Sequence, residues 1–483
     1  MADSFKSISL LTSFSIPSPN SPATTLLSRW SDTLITSPPA IIVTPTTEQD
    51  IVSAIQFARL NNLTIIPAGG RHNPAIPITS STLYLDLASL NSIRLDKQTG
   101  HVHIGGGALT GDVIRHLAQQ GYFAAMANSN AVGVVGCLLG GGNCSQNGLI
   151  GWMADNVVSL RIVTASGDVL QISSSSTGDE LALFNALCGT GHGLCVVVSA
   201  TMKAYPLSSL NLSPASKDDA SPSIWNRALI FPPTAIDAAI DAFLAASPPP
   251  DPMNVIFGFS RGPPGTPFAG KPIVLLTSTY YGPASEAEAS SVGAILFNPS
   301  LVEKAVKADT VQVPFANANN AFDPINVHGG FKSMSSNRFA RLSPQALKDA
   351  YGKYLAVTDK YPDAVRSALM FHSFNPSKMA EIGATPQGNA RFVEARDRGF
   401  CSIGVMWSTE PATRDALAAL YDEVVTVLQK DDEEAGLPQR VFPGIMKFLP
   451  GRQDLLSQEK LAELDRLHEK WNGDGLFWSP YKA

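Results

Sequence analysis

The sequence has few cysteines, little net charge and no long hydrophobic run, and each deficit excludes a class of protein. Five cysteines, an odd number, do not suggest a disulfide framework. A net charge of −6 argues against nucleic acid as a partner, because that role calls for clustered Lys and Arg. No apolar run reaches the roughly 18 residues of a membrane span. The first residues lack the charged and apolar parts of a secretory signal, so a cytoplasmic protein is predicted.

Motifs that define several enzyme classes are absent or incomplete. No G-x-G-x-x-G follows a strand-like run, so a Rossmann dinucleotide site is unsupported. Residues 265–272 imitate a Walker A loop, but Pro272 has no hydroxyl for Mg²⁺. Residues 258–262 fit the nucleophile elbow G-x-S-x-G, yet Pro263 and Pro264 follow where a helix must begin. The cysteine spacing and the lack of an H-E-x-x-H pair predict no metal site.

The chain instead contains glycine clusters beside strand-like runs. Residues 65–73 read as a short apolar run, two glycines and then His72. A strand that ends in two glycines lets backbone N–H groups approach a ligand closely. Further clusters occur at 133–142 and 189–193. Each alone suits an ordinary turn, but together they suit a large cofactor held between two subdomains. His72 is then a candidate base, ligand or attachment point.

Local patterns predict an α+β protein with at least two domains. At 483 residues the chain is too long for one hydrophobic core. Thr47 followed by Asp50 predicts a capped helix between strand-like runs at 41–43 and 63–67. From about residue 206 the glycine loops stop and prolines cluster, and the strands and helices there suit a mixed sheet with helices on one face.

The glycine clusters and their neighbours resemble one known family. The matching stretches are Val43-Thr44-Pro45, Gly69-Gly70-Arg71-His72-Asn73, Gly133-Val134-Val135-Gly136, Leu139-Gly140-Gly141-Gly142, Asp155-Asn156-Val157 and Gly189-Thr190-Gly191-His192-Gly193-Leu194. In this order they resemble the berberine-bridge-enzyme-like FAD-linked oxidases, a group of the vanillyl-alcohol-oxidase flavoprotein superfamily with a PCMH-type FAD-binding domain. The likeness covers roughly residues 38–205, and the stretch from Lys470 to Phe477 resembles the family's closing segment.

The resemblance implies a fold and its boundaries. It implies an α+β fold with a two-subdomain FAD-binding domain and a substrate domain whose mixed or antiparallel sheet is covered by helices. The expected limits are an N-terminal segment at 1–37, the FAD-binding domain at 38–205, the substrate domain at 206–440 and a C-terminal segment at 441–483 that returns to the FAD-binding domain.

The resemblance also implies how FAD is held. His72 stands where family members join the flavin 8α carbon to a histidine ring nitrogen. Ser129 stands where some relatives carry a second, cysteinyl bond, so a single bond is expected. The stiff turn from Pro74 to Pro77 departs from the family pattern. The full set of expected cofactor-binding residues is Ala68, Gly69, Gly70, Arg71, His72, Asn73, Ser129, Val132, Gly133, Gly136, Gly140, Gly141, Gly142, Asn143, Asn156 and Val197.

The implied reaction is oxidation of a small organic molecule, plausibly a secondary metabolite, with electrons passed to O₂ to give hydrogen peroxide. Asp397, His372 and Tyr281 are candidate catalytic residues by residue type. The expected partners are the substrate and O₂, with no nucleic acid or membrane, and the protein is expected to be a monomer or homodimer. Two alternatives stay open: a flavoprotein-derived cyclase or isomerase without net oxidation, and a flavin-free binding scaffold.

Overall fold

The computed structural model describes residues 5–441 and 454–481. Residues 1–4 of the expected N-terminal segment, and residues 442–453, 482 and 483 of the expected C-terminal segment, lie outside the described residues. The described strands form three sheets, of four, six and nine strands, in chain order. Within the described residues, no helix has the length and apolar character that crossing a bilayer requires.

The first sheet has a parallel centre and an antiparallel edge, with strand order β1-β2-β4-β3. Its strands are β1 (Phe14–Ser15), β2 (Ile41–Val43), β3 (Thr64–Ala68) and β4 (Thr82–Asp86), and its helices are α1 (Ala23–Leu27) and α2 (Glu48–Leu60). Thr47 accepts a hydrogen bond from the Asp50 amide, and the Asp50 carboxylate accepts one from the Thr47 amide. The predicted capping box is therefore confirmed, and α2 connects two parallel strands as a crossover must.

The second sheet is antiparallel, with order β5-β6-β10-β8-β9 and with β7 paired to β10. Its strands are β5 (Ile93–Asp96), β6 (His101–Gly105), β7 (Tyr122–Ala124), β8 (Val157–Val163), β9 (Val169–Ser173) and β10 (Val196–Pro206). Its helices are α3 (Thr110–Ala118), α4 (Val134–Leu138), α5 (Asn147–Ile150) and α6 (Gly178–Leu187).

The third sheet is also antiparallel, and β15 pairs with β12 beside the main order β11-β12-β14-β13-β17-β18-β16-β19. Its strands are β11 (Ser213–Pro214), β12 (Pro222–Phe231), β13 (Met253–Arg261), β14 (Pro272–Tyr280), β15 (Lys307–Pro314), β16 (Phe331–Phe339), β17 (Ala368–Phe374), β18 (Phe400–Ser408) and β19 (Arg440–Val441). Its helices are α7 (Ile236–Ala245), α8 (Ala284–Ala289), α9 (Ser291–Leu296), α10 (Pro299–Val302), α11 (Pro344–Lys360), α12 (Ser377–Gly383), α13 (Pro386–Ala390) and α14 (Pro411–Glu434). The predicted α+β class with a helix-covered antiparallel sheet is confirmed.

The two faces of the third sheet have different environments because strand side chains alternate. On β17, Leu369 and Phe371 join the core formed with α7, α11 and α14. Met370 and His372 point to the opposite face, toward the glycine-rich loops. The third sheet therefore supplies one wall of a cleft, and the first two sheets supply the other.

The C-terminal helix α15 (Gln458–Asn472) leads the chain back to the first sheet. The Ile65 amide donates to the Leu476 carbonyl, and the Trp478 amide donates to the Ile65 carbonyl. The side chain of Asn472 accepts from the Phe477 amide and donates to the carbonyls of Gly193 and Phe477. These bonds hold the last described residues against β3, the strand that enters the loop containing His72.

Candidate active site

A large cleft lies between the glycine-rich loops and the third sheet. It contains about 1370 Å³ of empty space, part of it open to solvent. Its walls are mostly apolar with a few polar groups, as is usual for a site that binds a cofactor or small molecule. The glycine-rich wall includes residues 67–74, 127–129, Val132, Gly133, Gly136 and Asn143, and the sheet wall includes Met334, Met370, His372, Ile403 and Val405.

The loop after β3 is built on close backbone contact. A Cβ on Gly70 would lie 2.2 Å from the Gly133 nitrogen, and one on Gly69 would lie 2.7 Å from the Gly106 carbonyl oxygen. Arg71 adopts a left-handed backbone with φ of 57°, and its guanidinium pairs with the Asp86 carboxylate. Glycine is therefore required at these two positions because other loops pack against them, which brings the separate glycine clusters together.

Gly136 needs glycine for a different reason. It lies in the short helix α4 and lines the cleft, and a Cβ built there meets no described atom within 4 Å beyond its own helix and chain neighbours. The carbonyl of Gly136 is 3.0 Å from Nε2 of His192, another residue of the cleft wall. A side chain at Gly136 would extend into the open space of the cleft.

These two glycines allow a matched pair of substitutions. Gly70→Ala must displace the Gly133 backbone, and we expect a loss of about 1–3 kcal/mol or more in the free energy of unfolding. Gly136→Ala meets no such obstacle and gains helix propensity, so the stability of the apoprotein is expected to persist while flavin content falls. Thermal unfolding and flavin absorbance measure the two effects, and equal destabilisation by both variants would contradict this assignment.

His72 is half-buried in the glycine-rich wall, and its Nε2 atom is shielded from solvent. Its Nε2 has no hydrogen-bond partner among the described residues. Burial lowers the pKa of His72 to about 4, and a hydrogen bond that the ring donates to the Asn326 side chain acts in the opposite direction. The imidazole is therefore neutral at physiological pH, which leaves a nitrogen lone pair available for a bond to a cofactor.

Trp30 holds the ring of His72 in place. The two rings stack with centroids 4.5 Å apart and an interplanar angle of 16°. The Trp30 amide donates to the Arg71 carbonyl, and its indole Nε1 donates to the Ile325 carbonyl at 2.7 Å. Buried Lys332 donates from Nζ to the Trp30 carbonyl, also at 2.7 Å. Residue patterns did not identify Trp30, because its contacts are with residues about 40 and 300 positions away.

Ser129 and Asn326 meet beside His72. The Ser129 hydroxyl donates to the Asn326 side-chain oxygen at 2.8 Å, and both residues line the cleft. Asn326 also interacts with the His72 side chain. Asn326 was not among the residues identified from the sequence, since an isolated asparagine in a loop carries no motif.

The expected cofactor-binding residues divide into two groups in space. Those that line the cleft are Ala68, Gly69, Gly70, Arg71, His72, Asn73, Ser129, Val132, Gly133, Gly136 and Asn143. Those that do not are Gly140, Gly141, Gly142, Asn156 and Val197.

The second group supports the cleft from behind. Asn156 donates to the carbonyls of Ile150 and Trp152 and accepts from the Tyr205 hydroxyl. A Cβ on Gly142 would lie 2.4 Å from the Met153 side chain. The Val197 carbonyl lies 2.6 Å from the Cβ position of Gly106. Their contacts hold the loops together, and the structure gives them no surface on the cleft.

Of the three candidate catalytic residues, the structure brings only His372 to the cleft. It is 5% exposed, its Nε2 has no partner among the described residues, and burial lowers its pKa to about 4. Tyr281 packs with its ring 6.3 Å from that of Phe315, away from the cleft, and burial raises its pKa. The Asp397 side chain is 72% exposed and lies 3.9 Å from the Arg398 guanidinium. Tyr281 and Asp397 are therefore not proposed as catalytic residues.

Comparison with known proteins decides what the cleft holds. Residues 39–173 match the family model described as FAD binding domain. The chain contains an FAD-binding domain. The Nε2 of His72, which has no hydrogen-bond partner among the described residues, and the open space beside Gly136 fit such a cofactor. FAD binding, which the resemblance implied, is thereby confirmed.

A curated relative extends the match over most of the chain. The FAD-linked oxidoreductase hasG of Aspergillus fumigatus is 28% identical over 385 residues, which cover 79% of this chain and 78% of that protein. The chain is an FAD-dependent oxidoreductase, as the resemblance implied.

Solved structures show the same fold. BBE-like 1 of Physcomitrella patens superposes with a TM-score of 0.75 at 14% identity, covering 97% of this chain and 96% of that chain. Glucooligosaccharide oxidase from Acremonium strictum gives 0.73 at 16% identity, covering 97% and 96%. That oxidase has a 6-S-cysteinyl, 8α-N1-histidyl FAD. The predicted berberine-bridge-enzyme-like fold is confirmed.

Proposed function

We propose that this protein is an oxidase that removes a hydride from a small organic molecule and passes the electrons to O₂. The observation that carries the proposal is His372, whose Nε2 has no hydrogen-bond partner among the described residues and which lies on the sheet wall opposite the glycine-rich wall of the same cleft. FAD would be held by the loop from Ala68 to Asn73 and by Gly133, Gly136 and Asn143. When bound, FAD supplies the acceptor for the hydride.

His372 has the chemistry of a general base in this cleft. A pKa of about 4 keeps the imidazole neutral at physiological pH. Its Nε2 can accept the proton of a substrate hydroxyl, and the burial that lowers the pKa also excludes competing water. The apolar side chains around it, Met370 and Ile403, give the site a low dielectric, which disfavours a free alkoxide there.

We further propose one covalent bond to FAD, through His72. The support is its neutral ring, its free Nε2 and the flat contact with Trp30, which limits ring rotation. Ser129 supplies a hydroxyl where a second bond would need a thiolate, and that hydroxyl already donates to Asn326. A single bond through His72 is the arrangement that these side chains favour.

Oxygen consumption distinguishes an oxidase from a redox-neutral cyclase built on the same cleft. The flavin is first reduced anaerobically with a turned-over substrate, and air is then admitted. We expect the flavin absorbance to return, with one hydrogen peroxide released for each product formed. Product formation without oxygen uptake would contradict the oxidase and support the cyclase or isomerase.

A further inference from the structure

We propose that Lys332 is a positioning residue for attachment of the flavin: it fixes Trp30, and Trp30 in turn fixes the ring of His72. This inference rests on the proposed covalent bond through His72. It concerns how the histidine is held while the bond forms, whereas the earlier proposal concerns which residue bears the flavin.

Lys332 is a buried cation whose hydrogen bonds all go to backbone carbonyls. Its exposed fraction is 0%, and it lies near the start of β16. The Nζ ammonium donates to the carbonyls of Trp30 and Gly329, each at 2.7 Å, and to the carbonyl of Val327. Three donors therefore meet three acceptors, which is the full capacity of an ammonium group. Burying a charge has a large free-energy cost even when it is hydrogen-bonded, so stability alone does not explain a lysine at this position.

The hydrogen bonds of Lys332 join two distant parts of the chain. Trp30 lies in the N-terminal segment, whereas the other two acceptors lie in the loop before β16. The lysine backbone strengthens this connection, because its amide donates to the Ser31 hydroxyl at 3.1 Å and its carbonyl accepts from that hydroxyl at 2.6 Å. Both the side chain and the backbone of Lys332 thus tie the N-terminal segment to the third sheet at Trp30 and its neighbour.

The side chain of Trp30 connects Lys332 to His72. The Nζ atom lies 5.1 Å from the centre of the Trp30 ring, and the imidazole of His72 stacks on that ring. The same Nζ lies 4.0 Å from the centre of the Trp407 ring on β18. A cation is attracted to the face of an aromatic ring, so the two indoles and the ammonium hold one another in place. Any shift of Trp30 would also release the ring of His72.

Formation of a covalent bond requires that the reacting nitrogen of His72 stay in one place. Its Nε2 has no hydrogen-bond partner among the described residues, so the packing of the ring largely sets the direction of this atom. A displacement of about 1 Å can slow a reaction about 100-fold. Trp30 limits rotation of the imidazole, and the bonds to Lys332 limit movement of Trp30.

The bond forms without any reagent beyond those already named. The lone pair of Nε2 makes the bond to the flavin 8α carbon, and one C–H bond of that carbon breaks. The two electrons of the broken bond remain on the flavin with two protons, one from the carbon and one from the imidazole N–H. O₂, the proposed electron acceptor, then removes both electrons and both protons as hydrogen peroxide.

Two titrations limit the pH range in which this arrangement works. Burial lowers the pKa of His72 to about 4 and the pKa of Lys332 to about 8. Among the neighbouring groups, Asp32 raises the pKa of Lys332, Arg366 lowers it, and His328 lowers the pKa of His72. Below about pH 4 the imidazole gains a proton and loses its lone pair, and above about pH 8 the ammonium loses a proton and one carbonyl loses its donor. Attachment should therefore be fastest between these values.

The rate of attachment tests this role directly. Apoprotein is mixed with FAD, quenched in acid at intervals and separated into pellet and supernatant. At pH 7 we expect Lys332→Met to attach flavin about 10- to 100-fold more slowly than the unsubstituted protein. Lys332→Arg keeps the charge, so we expect it to attach flavin faster than Lys332→Met and to show no decline above about pH 8, where a guanidinium keeps its proton.

Lys460→Met is the matched control. Lys460 is also a half-buried lysine that donates to a backbone carbonyl, that of Arg391, but it does not line the cleft or contact Trp30. We expect this variant to attach flavin at the unsubstituted rate.

A second measurement separates positioning from a general effect on the fold. No bond can form in His72→Ala, so its affinity for FAD can be measured at equilibrium by flavin fluorescence, with and without Lys332→Met. We expect the two dissociation constants to agree within about threefold, because Lys332 does not line the cleft. Thermal unfolding identifies a variant that does not fold. In that case the pH profile of the unsubstituted protein decides the proposal.

Each outcome of these measurements is decisive. Attachment by Lys332→Met at the unsubstituted rate would overturn the proposal, as would equal slowing in Lys460→Met. An unsubstituted rate that stays level through about pH 8 would also overturn it. A loss of FAD affinity as large as the loss of attachment rate would assign Lys332 to general structure instead. Absence of flavin from the pellet of the unsubstituted protein would contradict the bond through His72 itself, and with it this role.

Discussion

His72→Ala is expected to release the flavin from the denatured protein. Acid precipitation of the unsubstituted protein should leave yellow flavin in the pellet, because a covalent bond survives unfolding. In His72→Ala that bond has no donor nitrogen, and the flavin should appear in the supernatant almost completely. Absorbance and fluorescence of the two fractions measure the effect.

Two companion variants make the His72 experiment specific. Ser129→Ala removes a hydroxyl beside the same ring and should leave the bound fraction unchanged, since no second bond is expected there. Trp30→Leu removes the stacked ring and should slow attachment, while Trp30→Phe should restore much of it. Flavin found in the supernatant of the unsubstituted protein, or in the pellet of His72→Ala, would disprove attachment through His72.

His372→Gln is expected to slow flavin reduction by about 10²- to 10⁴-fold, the usual contribution of a positioned general base. Glutamine retains polarity at this buried position but cannot take a proton. Anaerobic stopped-flow mixing with a saturating alcohol isolates this step from reoxidation. Asp397→Asn, at a side chain that is 72% exposed and outside the cleft, is the matched control and should reduce at the unsubstituted rate.

The pH dependence of the same step has a defined direction. His372 acts as a base only when neutral, and its pKa is about 4. The rate of flavin reduction should therefore be flat from about pH 5 to 8 and fall as the pH drops through about 4. This low-pH decline should disappear in His372→Gln. A variant that keeps both the rate and the decline would exclude His372 as the base.

Much of the glycine-rich wall could be predicted from the sequence, because its patterns involve residues that are close together in the chain. Two glycines after a strand specify a loop that another backbone can approach, and the structure brings Gly70 against Gly133 in this way. The capping box at Thr47 and Asp50 depends on residues three positions apart, and it forms as predicted. Motif order then indicated FAD, which the family match confirms.

The sheet wall of the cleft could not be predicted in the same way, because it depends on contacts between residues that are distant in the chain. Asp397 and His372 are equally plausible as residue types, but strand alternation turns His372 into the cleft while Asp397 lies exposed. Gly142 and Asn156 belong to motifs of the family, yet they support the loops from behind. A match to a family motif indicates that a residue is needed, but it does not show whether that residue contacts the ligand.

The N-terminal segment contributes a residue beside the cleft that no sequence pattern indicated. Its Ser- and Pro-rich composition carried no sign of a functional role, yet Trp30 stacks on His72 and is held by Lys332, about 300 residues later. The sequence by itself determined the α+β class and the glycine-rich loop that contains His72, since short-range backbone geometry encodes these features, and the resemblance to a known family added the expectation of a flavin. Only the tertiary structure decided which side chains complete the cleft, because burial and long-range hydrogen bonds, which no local pattern records, select them.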